Sequence, residues 1–238
     1  MPTVNIPALR GSRILGFGHH QPERILTNDE LSTMVDTNDE WIRTRTGIQT
    51  RRIAGPDDTV TSMAIEAGRR ALADAGVSPS AVGLVIVAST THQDRAPYTA
   101  GRVAAALGMT NGPAPIDINT ACSGFEYALG LADQSIRTGS ADVALVIGSE
   151  VLSGIADWTD RSTCVLVGDG AGAAVLGVAE TPEIGPVSWG SVPHLLDAVR
   201  VEGSPGRFNQ EGRSIYRWAI TEAEGHARKV VEAAGLSM

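Results

Sequence analysis

Apolar and polar positions along the chain follow two periods that trade places at regular intervals. "RILGFG", residues 13–18, is short and apolar and reads as a first strand. "TVTSMAIEAGRRALADAG", 59–76, repeats apolar side chains every three or four residues. With Asp57 or Asp58 near its start and Gly76 and Pro79 at its end, it predicts a helix. "VGLVIVAST", 82–90, is a buried strand, and "YTAGRVAAALG", 98–108, a short helix closed by Gly108. "APIDI", 114–118, alternates as a strand does; Phe125, Leu129, Ala132 and Ile136 then recur at helical spacing up to Gly139. "DVALVIGSE", 142–150, is a further strand. This alternation predicts an α/β fold with a mainly parallel sheet covered by helices.

Two shorter runs follow, "STCVLVG" (162–168) and "AGAAVLGVAE" (171–180), both strand-like, with "GDG" between them. The glycine run 168–172 is not a phosphate loop, because such a loop opens a helix and a β-like run follows here. It reads as a hairpin turn, and Cys164 reads as core. From about residue 181 glycine and proline become frequent, which predicts loops and a link. "SIYRWAITEAEGHARKVVEAAGLSM", 214–238, then reads as one long helix.

Composition narrows the function classes. The 238 residues are 42% hydrophobic and 19% charged, enough for one large domain or two smaller ones with a sizeable core. The net charge of −8 disfavours nucleic acid as a partner. The start, "MPTVNIPALRGSRILGFG", lacks the charged and apolar regions of a signal peptide, and the apolar runs are strand-length, so neither export nor a membrane is expected. Two cysteines with no bridging pattern fit a reducing, cytoplasmic compartment. No cysteine–histidine spacing suggests a metal. A single lysine, Lys229, stands among 19 basic residues, and the one dense basic cluster is "WIRTRTGIQTRRI". Arg43, Arg45, Arg51 and Arg52 around Trp41 make either a solvated face or a nucleotide cradle, the ring stacking on a base and arginine meeting phosphate.

The sharpest chemical signal is "NTACSGFEYALG", 119–130. Cys122 falls between a strand and a helix, with its sulfur at the helix N-terminus. Unpaired N–H groups and the helix dipole there favour a negative charge, hence a thiolate aimed at an acyl group. The plain alternative is a small buried residue that only packs.

Taken together, "TNDEWIRTRTGIQTRR", "NTACSGFEYAL", "DWTDRSTCVLVGDGAGAAVLG" and "QEGRSIYRWAI" resemble β-ketoacyl-acyl-carrier-protein synthase III, a thiolase-fold condensing family, in the family's order and over nearly the whole chain. The resemblance implies a thiolase-like α/β fold with its first βαβαβ half complete and its second truncated. Residues 1–180 would form the nucleophile-bearing half, and 181–238 the linker and first helix of the other. It implies Cys122 as the acyl-accepting nucleophile. Trp41 and Arg161 would hold the adenine of coenzyme A with Arg45 and Thr37 nearby, and Gly212 and Tyr216 would line the pantetheine channel. Arg217 matches a position that docks the acidic acyl carrier protein, and Ala96 one that reaches towards a dimer partner's acyl pocket. A homodimer without a resident cofactor is expected, with acyl-CoA as substrate.

The implied reaction condenses an acyl-CoA primer with malonyl-carrier protein to start fatty acid or polyketide synthesis. Transfer of the acyl group to a hydroxyl or amine, or a non-catalytic acyl-CoA-binding partner, are the competing readings. The family's catalytic histidine and asparagine are expected beyond Met238, so the chain is expected to be partial. None of the five histidines present, His19, His20, His92, His194 and His226, stands in for that one.

Overall fold

The computed structural model describes residues 10–93, 95–203 and 206–238; residues 1–9, on which part of the signal-peptide reading rests, lie outside them. In chain order the elements are β1 (Gly11–His20), β2 (Arg24–Thr27), α1 (Asn28–Ser32), α2 (Asp39–Thr46), β3 (Thr50–Ile53), α3 (Val60–Ala75), β4 (Leu84–Ala88), α4 (Thr99–Ala106), β5 (Ala114–Ile118), α5 (Gly124–Arg137), β6 (Val143–Val151), β7 (Asp169–Ala179), β8 (Val199–Glu202), β9 (Arg207–Gln210), α6 (Gly212–Thr221) and α7 (Ala223–Ala233). They fall into two compact units. One takes the chain up to Glu23, Ala54–Val151 and Asp169–Ile184; the other takes Arg24–Ile53, Leu152–Gly168 and Gly185–Met238.

The first unit is a five-stranded sheet in the order β1-β7-β6-β4-β5 with helices on both faces. The strand period of two sorts the side chains of β4: Val85 and Val87 join one apolar cluster, Leu84, Ile86 and Ala88 the other. On the first face lies α3, whose buried Val60, Met63, Ala64, Ala67, Ala71 and Leu72 form one helical stripe. Its ends are set locally. Thr59 and Ser62 form a reciprocal capping box, and Gly76 closes the helix in the left-handed region with φ 63°. On the opposite face α5 buries Ala128, Ala132 and Ile136 against Leu84, Ile86, Ala144 and Val146. The close seat of α3 on β1 requires glycine. A Cβ on Gly18 would stand 2.2 Å from the Ala67 carbonyl oxygen, and one on Gly16 would stand 2.5 Å from the Ala75 nitrogen.

The second unit pairs β2 with β3 and β8 with β9, both antiparallel. Its core is Leu26, Leu31, Ile42, Ile53, Cys164 and Val165, with Trp41 and Trp158 packed beside them.

Several expectations are corrected. The sheet is mixed: β4 runs parallel to β5 and β6, but β7 is antiparallel to both β6 and β1. Strand β7 returns from a chain segment, 152–168, that belongs to the other unit, a reversal that local alternation does not reveal. "STCVLVG" is no strand; Cys164–Leu166 is a single 3₁₀ turn, although Cys164 is buried as expected. "GDG" is no hairpin, because β7 begins at Asp169 and continues through the glycines. Asp169 accepts the Ala54 N–H at 2.7 Å, and a Cβ on Gly170 would sit 3.2 Å from the His20 carbonyl. Gly170 serves close approach rather than a turn. The final helix is two, interrupted at Glu222 (φ −117°). Just before the break the Thr221 hydroxyl donates to the Arg217 carbonyl at 2.9 Å, a back-bond that bends helices. The predicted link contains the β8–β9 hairpin.

Gly18→Ala should lower the stability of the chain by about 3 kcal/mol, since the added methyl meets helix backbone that cannot yield. A urea titration with an unchanged midpoint would refute the close-packing account.

Candidate functional site

Cys122 stands where the sequence placed it. Strand β5 ends at Ile118, a 3₁₀ turn spans Ala121–Ser123, and α5 starts at Gly124. The cysteine is exposed. The turn is tight enough to force Ala121 to φ 51°, the one positive φ outside glycine among the described residues. That conformation costs an L-residue about 1–2 kcal/mol, and Asn119 offsets it by accepting the Ala121 N–H on its side-chain oxygen at 3.1 Å. Gly124 is also demanded by space, since a Cβ there would lie 3.0 Å from the Ala88 side chain.

Neither the 3₁₀ turn nor α5 has a side-chain cap at its N-terminus. The Gly124 N–H closes the 3₁₀ turn on the Ala121 carbonyl, and Cys122, two residues before α5, stands at the positive end of that helix's dipole. The Thr120 hydroxyl, buried next to the cysteine, has no hydrogen-bond partner. An exposed thiol at the start of a helix is an arrangement suited to attack on a thioester.

The loop after β4 lies beside this turn. Glu150, in β6, accepts the N–H groups of Thr90 at 2.7 Å and Thr91 at 3.2 Å, together with the Thr91 hydroxyl. The Thr90 hydroxyl reaches Asn119 at 3.5 Å. Sequence reasoning missed both Glu150 and Asn119. An asparagine two residues before a strained turn was the available signal for the second. In the same loop His92 is largely buried. Its Nδ1 lies 3.1 Å from the Thr99 hydroxyl and 3.7 Å from Asp117, and Asp117 also accepts the first N–H groups of α4. Nδ1 is thus engaged, while Nε2 is buried with no hydrogen-bond partner. Ala96 is exposed.

Cys164 has the opposite character. It is fully buried, and burial with Asp160 nearby pushes its thiol above the usual range. It is a core residue without nucleophilic use.

The second unit gathers most of the other candidate residues. Trp41 lies in α2, which Asn38 caps at 2.8 Å and Gly47 ends with φ 74°. The Arg45 guanidinium lies 4.5 Å from the Trp41 ring centroid, and that of Arg161 5.1 Å from it. Arg161 is held by the Asp36 carbonyl at 2.9 Å. Its neighbour Thr37 has a buried hydroxyl with no partner. An indole flanked by two guanidinium groups provides stacking and phosphate recognition in one place. Arg161 already rests on the ring, so a base entering between them must move it outward. Gly212 opens α6, and Tyr216, one turn later, is 68% exposed. Arg217 follows on the same helix, also exposed. Among the described residues no cluster of metal-ligating side chains occurs and no helix is long and apolar enough to cross a membrane.

Comparison with known proteins gives a consistent result. The family model for 3-oxoacyl-[acyl-carrier-protein (ACP)] synthase III matches residues 116–193. The chain is 57% identical over 230 residues to beta-ketoacyl-[acyl-carrier-protein] synthase III 4 of Streptomyces coelicolor, covering 95% of the chain and 72% of that protein. It is 53% identical over 232 residues to beta-ketoacyl-[acyl-carrier-protein] synthase III 2 of Streptomyces avermitilis, covering 96% and 73%. Among solved structures, the priming β-ketosynthase of the R1128 polyketide pathway superimposes with a TM-score of 0.95 at 37% identity, over 99% of this chain and 73% of that one. The 3-oxoacyl-[acyl-carrier-protein] synthase III of Aquifex aeolicus VF5 gives 0.87 at 42% identity, over 95% and 73%.

The two cysteines should differ sharply towards iodoacetamide. Native protein is expected to be alkylated at Cys122 alone, and Cys164 only after denaturation. Peptide mapping that finds Cys164 modified first would overturn the assignment of the exposed thiol.

Proposed function

Because the chain belongs to the 3-oxoacyl-[acyl-carrier-protein] synthase III family, we propose that Cys122 is the residue on which its acyl transfer takes place. Members of this family condense an acyl-CoA primer with malonyl-acyl-carrier protein, without a resident cofactor, and the chain has the thiolase fold in which they do so. The observation that carries the assignment is the exposed sulfur on a strained turn, backed by the uncapped N-terminus of α5.

In this reading the Cys122 thiolate attacks the thioester carbonyl of acyl-CoA. A tetrahedral oxyanion forms against the N–H groups at the head of α5, and the bond from carbon to the coenzyme sulfur breaks. Coenzyme A leaves as a thiol, taking the proton that Cys122 gave up, and the acyl group stays as a thioester on Cys122. Malonyl-carrier thioester then loses carbon dioxide, and the electron pair released forms the new carbon–carbon bond at the acyl carbonyl. Cys122 leaves as thiolate and the β-ketoacyl chain stays on the carrier.

Trp41 and Arg161 are the adenine-binding pair in the same reading, with Arg45 and Thr37 beside them. The ring and the two guanidinium groups suit a base and its phosphates. Gly212 and Tyr216 lie towards the pantetheine arm, and Arg217 towards the acidic carrier protein. We take the active form to be a homodimer in the cytoplasm. Edge strand β5 with its exposed Ile116 suits pairing with a second copy, and a free nucleophilic thiol suits a reducing compartment. Ala96 is the position through which the partner would see the primer.

Incubation with acetyl-CoA followed by denatured intact-mass measurement should show one acetyl group gained. Cys122→Ala should gain none, and Cys164→Ala should gain one as before. Acetylation that survives Cys122→Ala would remove this cysteine from the reaction.

A further inference from the structure

One charged side chain of the second unit is buried in its core. Arg51, on β3, is 6% exposed, and burial pulls its guanidinium below its ordinary value. Nη1 donates to the Leu26 carbonyl at 3.3 Å. Nη2 donates to the Asn28 side-chain oxygen at 2.8 Å and to the Val165 carbonyl at 3.3 Å. Nε is buried with no partner. Asn28, 2% exposed, passes the connection on: its amide donates to Asp39 Oδ1 and to the Ile48 carbonyl, both at 2.8 Å.

Two side chains thus tie together four stretches of chain, three by a backbone carbonyl and one by the Asp39 carboxylate. Leu26 and Asn28 come from β2 and the head of α1, Asp39 from the first turn of α2, Ile48 from the turn after α2, and Val165 from the 3₁₀ turn. These pieces carry the aromatic platform. Asp39 lies two residues before Trp41, Ile48 follows the helix that holds Arg45, and Val165 lies one turn after Arg161. A buried guanidinium is expensive to desolvate, and an apolar side chain would fill the same space at less cost. What the apolar side chain lacks is a fork of directed donors that fixes carbonyls on separate segments.

We propose that Arg51, acting through Asn28 and Asp39, is the positioning residue that sets Arg161 and Arg45 against Trp41 and so fixes the grip on the adenine end of coenzyme A. The proposal rests on the reading of Trp41 and Arg161 as the adenine site, and it adds residues that do not touch the nucleotide. It separates two properties that simple destabilisation would change together, recognition of the nucleotide and reactivity of Cys122.

The test compares acylation of Cys122 by acetyl-CoA with acylation by acetyl-N-acetylcysteamine, a thioester with neither adenine nor phosphate, using intact mass as the readout. Arg51→Lys removes the fork, and Asp39→Ala cuts the link on the partly exposed side should Arg51→Lys fail to fold. Asp39→Asn restores an acceptor for Asn28. Arg51→Lys and Asp39→Ala should each raise the acetyl-CoA concentration for half-maximal acylation about tenfold, the scale of losing a hydrogen bond to a charged group. Acylation by the short thioester should stay at the wild-type rate, and Asp39→Asn should return acetyl-CoA to near wild-type behaviour. Equal slowing with both donors would make Arg51 a plain fold residue and overturn the proposal. So would an unchanged response to acetyl-CoA in both variants while Trp41→Ala weakens it. If Trp41→Ala itself leaves acetyl-CoA unaffected, the adenine reading falls and this proposal with it.

Discussion

The candidate chemistry hangs on a strand and a helix that meet almost without a loop. Between Ile118 and Gly124 the chain turns from extended to helical, and the cost of so short a turn is the left-handed backbone at Ala121. Asn119 holds that conformation by a local side-chain bond, and Gly124 removes the Cβ that would strike Ala88. A longer connection would relax the strain, but it would also let the sulfur wander from the head of α5. The rest of the sheet unit is arranged so that this turn has a rigid base. β4 and β6, with five and four consecutive buried residues, stand beside β5 in order, and Glu150 pins the β4 loop next to the turn.

The second unit applies the same physics to a different end. Its candidate nucleotide face is a half-buried indole, while the groups proposed to orient it are polar and buried. Trp41 presents its ring, and Arg45 and Arg161 cover it. Behind it a guanidinium and an amide hold three backbone carbonyls, those of Leu26, Ile48 and Val165, and the Asp39 carboxylate. A buried polar network of this kind contributes little net stability when satisfied, but it tolerates few alternative geometries. That is a property a recognition surface needs more than an apolar core does.

Much of this was legible from the amino-acid sequence, and the limits have physical causes. The helix over 59–76 was readable because its stripe, its capping threonine and its closing glycine all point to one structure. The nucleophile turn was readable because a strand period gives way to a helical one within six residues. The direction of β7 was not, since antiparallel return depends on a detour through the other unit rather than on local pattern. Gly168 and Gly170 misled for a related reason: close approach and tight turning use the same residue. The break at Glu222 lay hidden because helical periodicity persists across it. In the candidate site, Cys122, Trp41 and Arg161 stood out by residue type and context. Arg51 was noticed only as one member of a basic cluster, and sequence gives no sign that it is buried while its neighbours in that cluster are not.

The contact between Arg161 and Trp41 adds a last point about recognition. A guanidinium already lying 5.1 Å from the ring centroid gives up that attraction when a base enters between them, and each group then gains a new face. The exchange is close to balanced, so stacking alone selects for a flat ligand without binding it tightly. Affinity must then come from phosphates meeting the guanidinium groups, a charge-assisted contact that a bare aromatic ligand does not supply. In the proposed adenine site, such a platform would recognise coenzyme A without retaining it after acyl transfer.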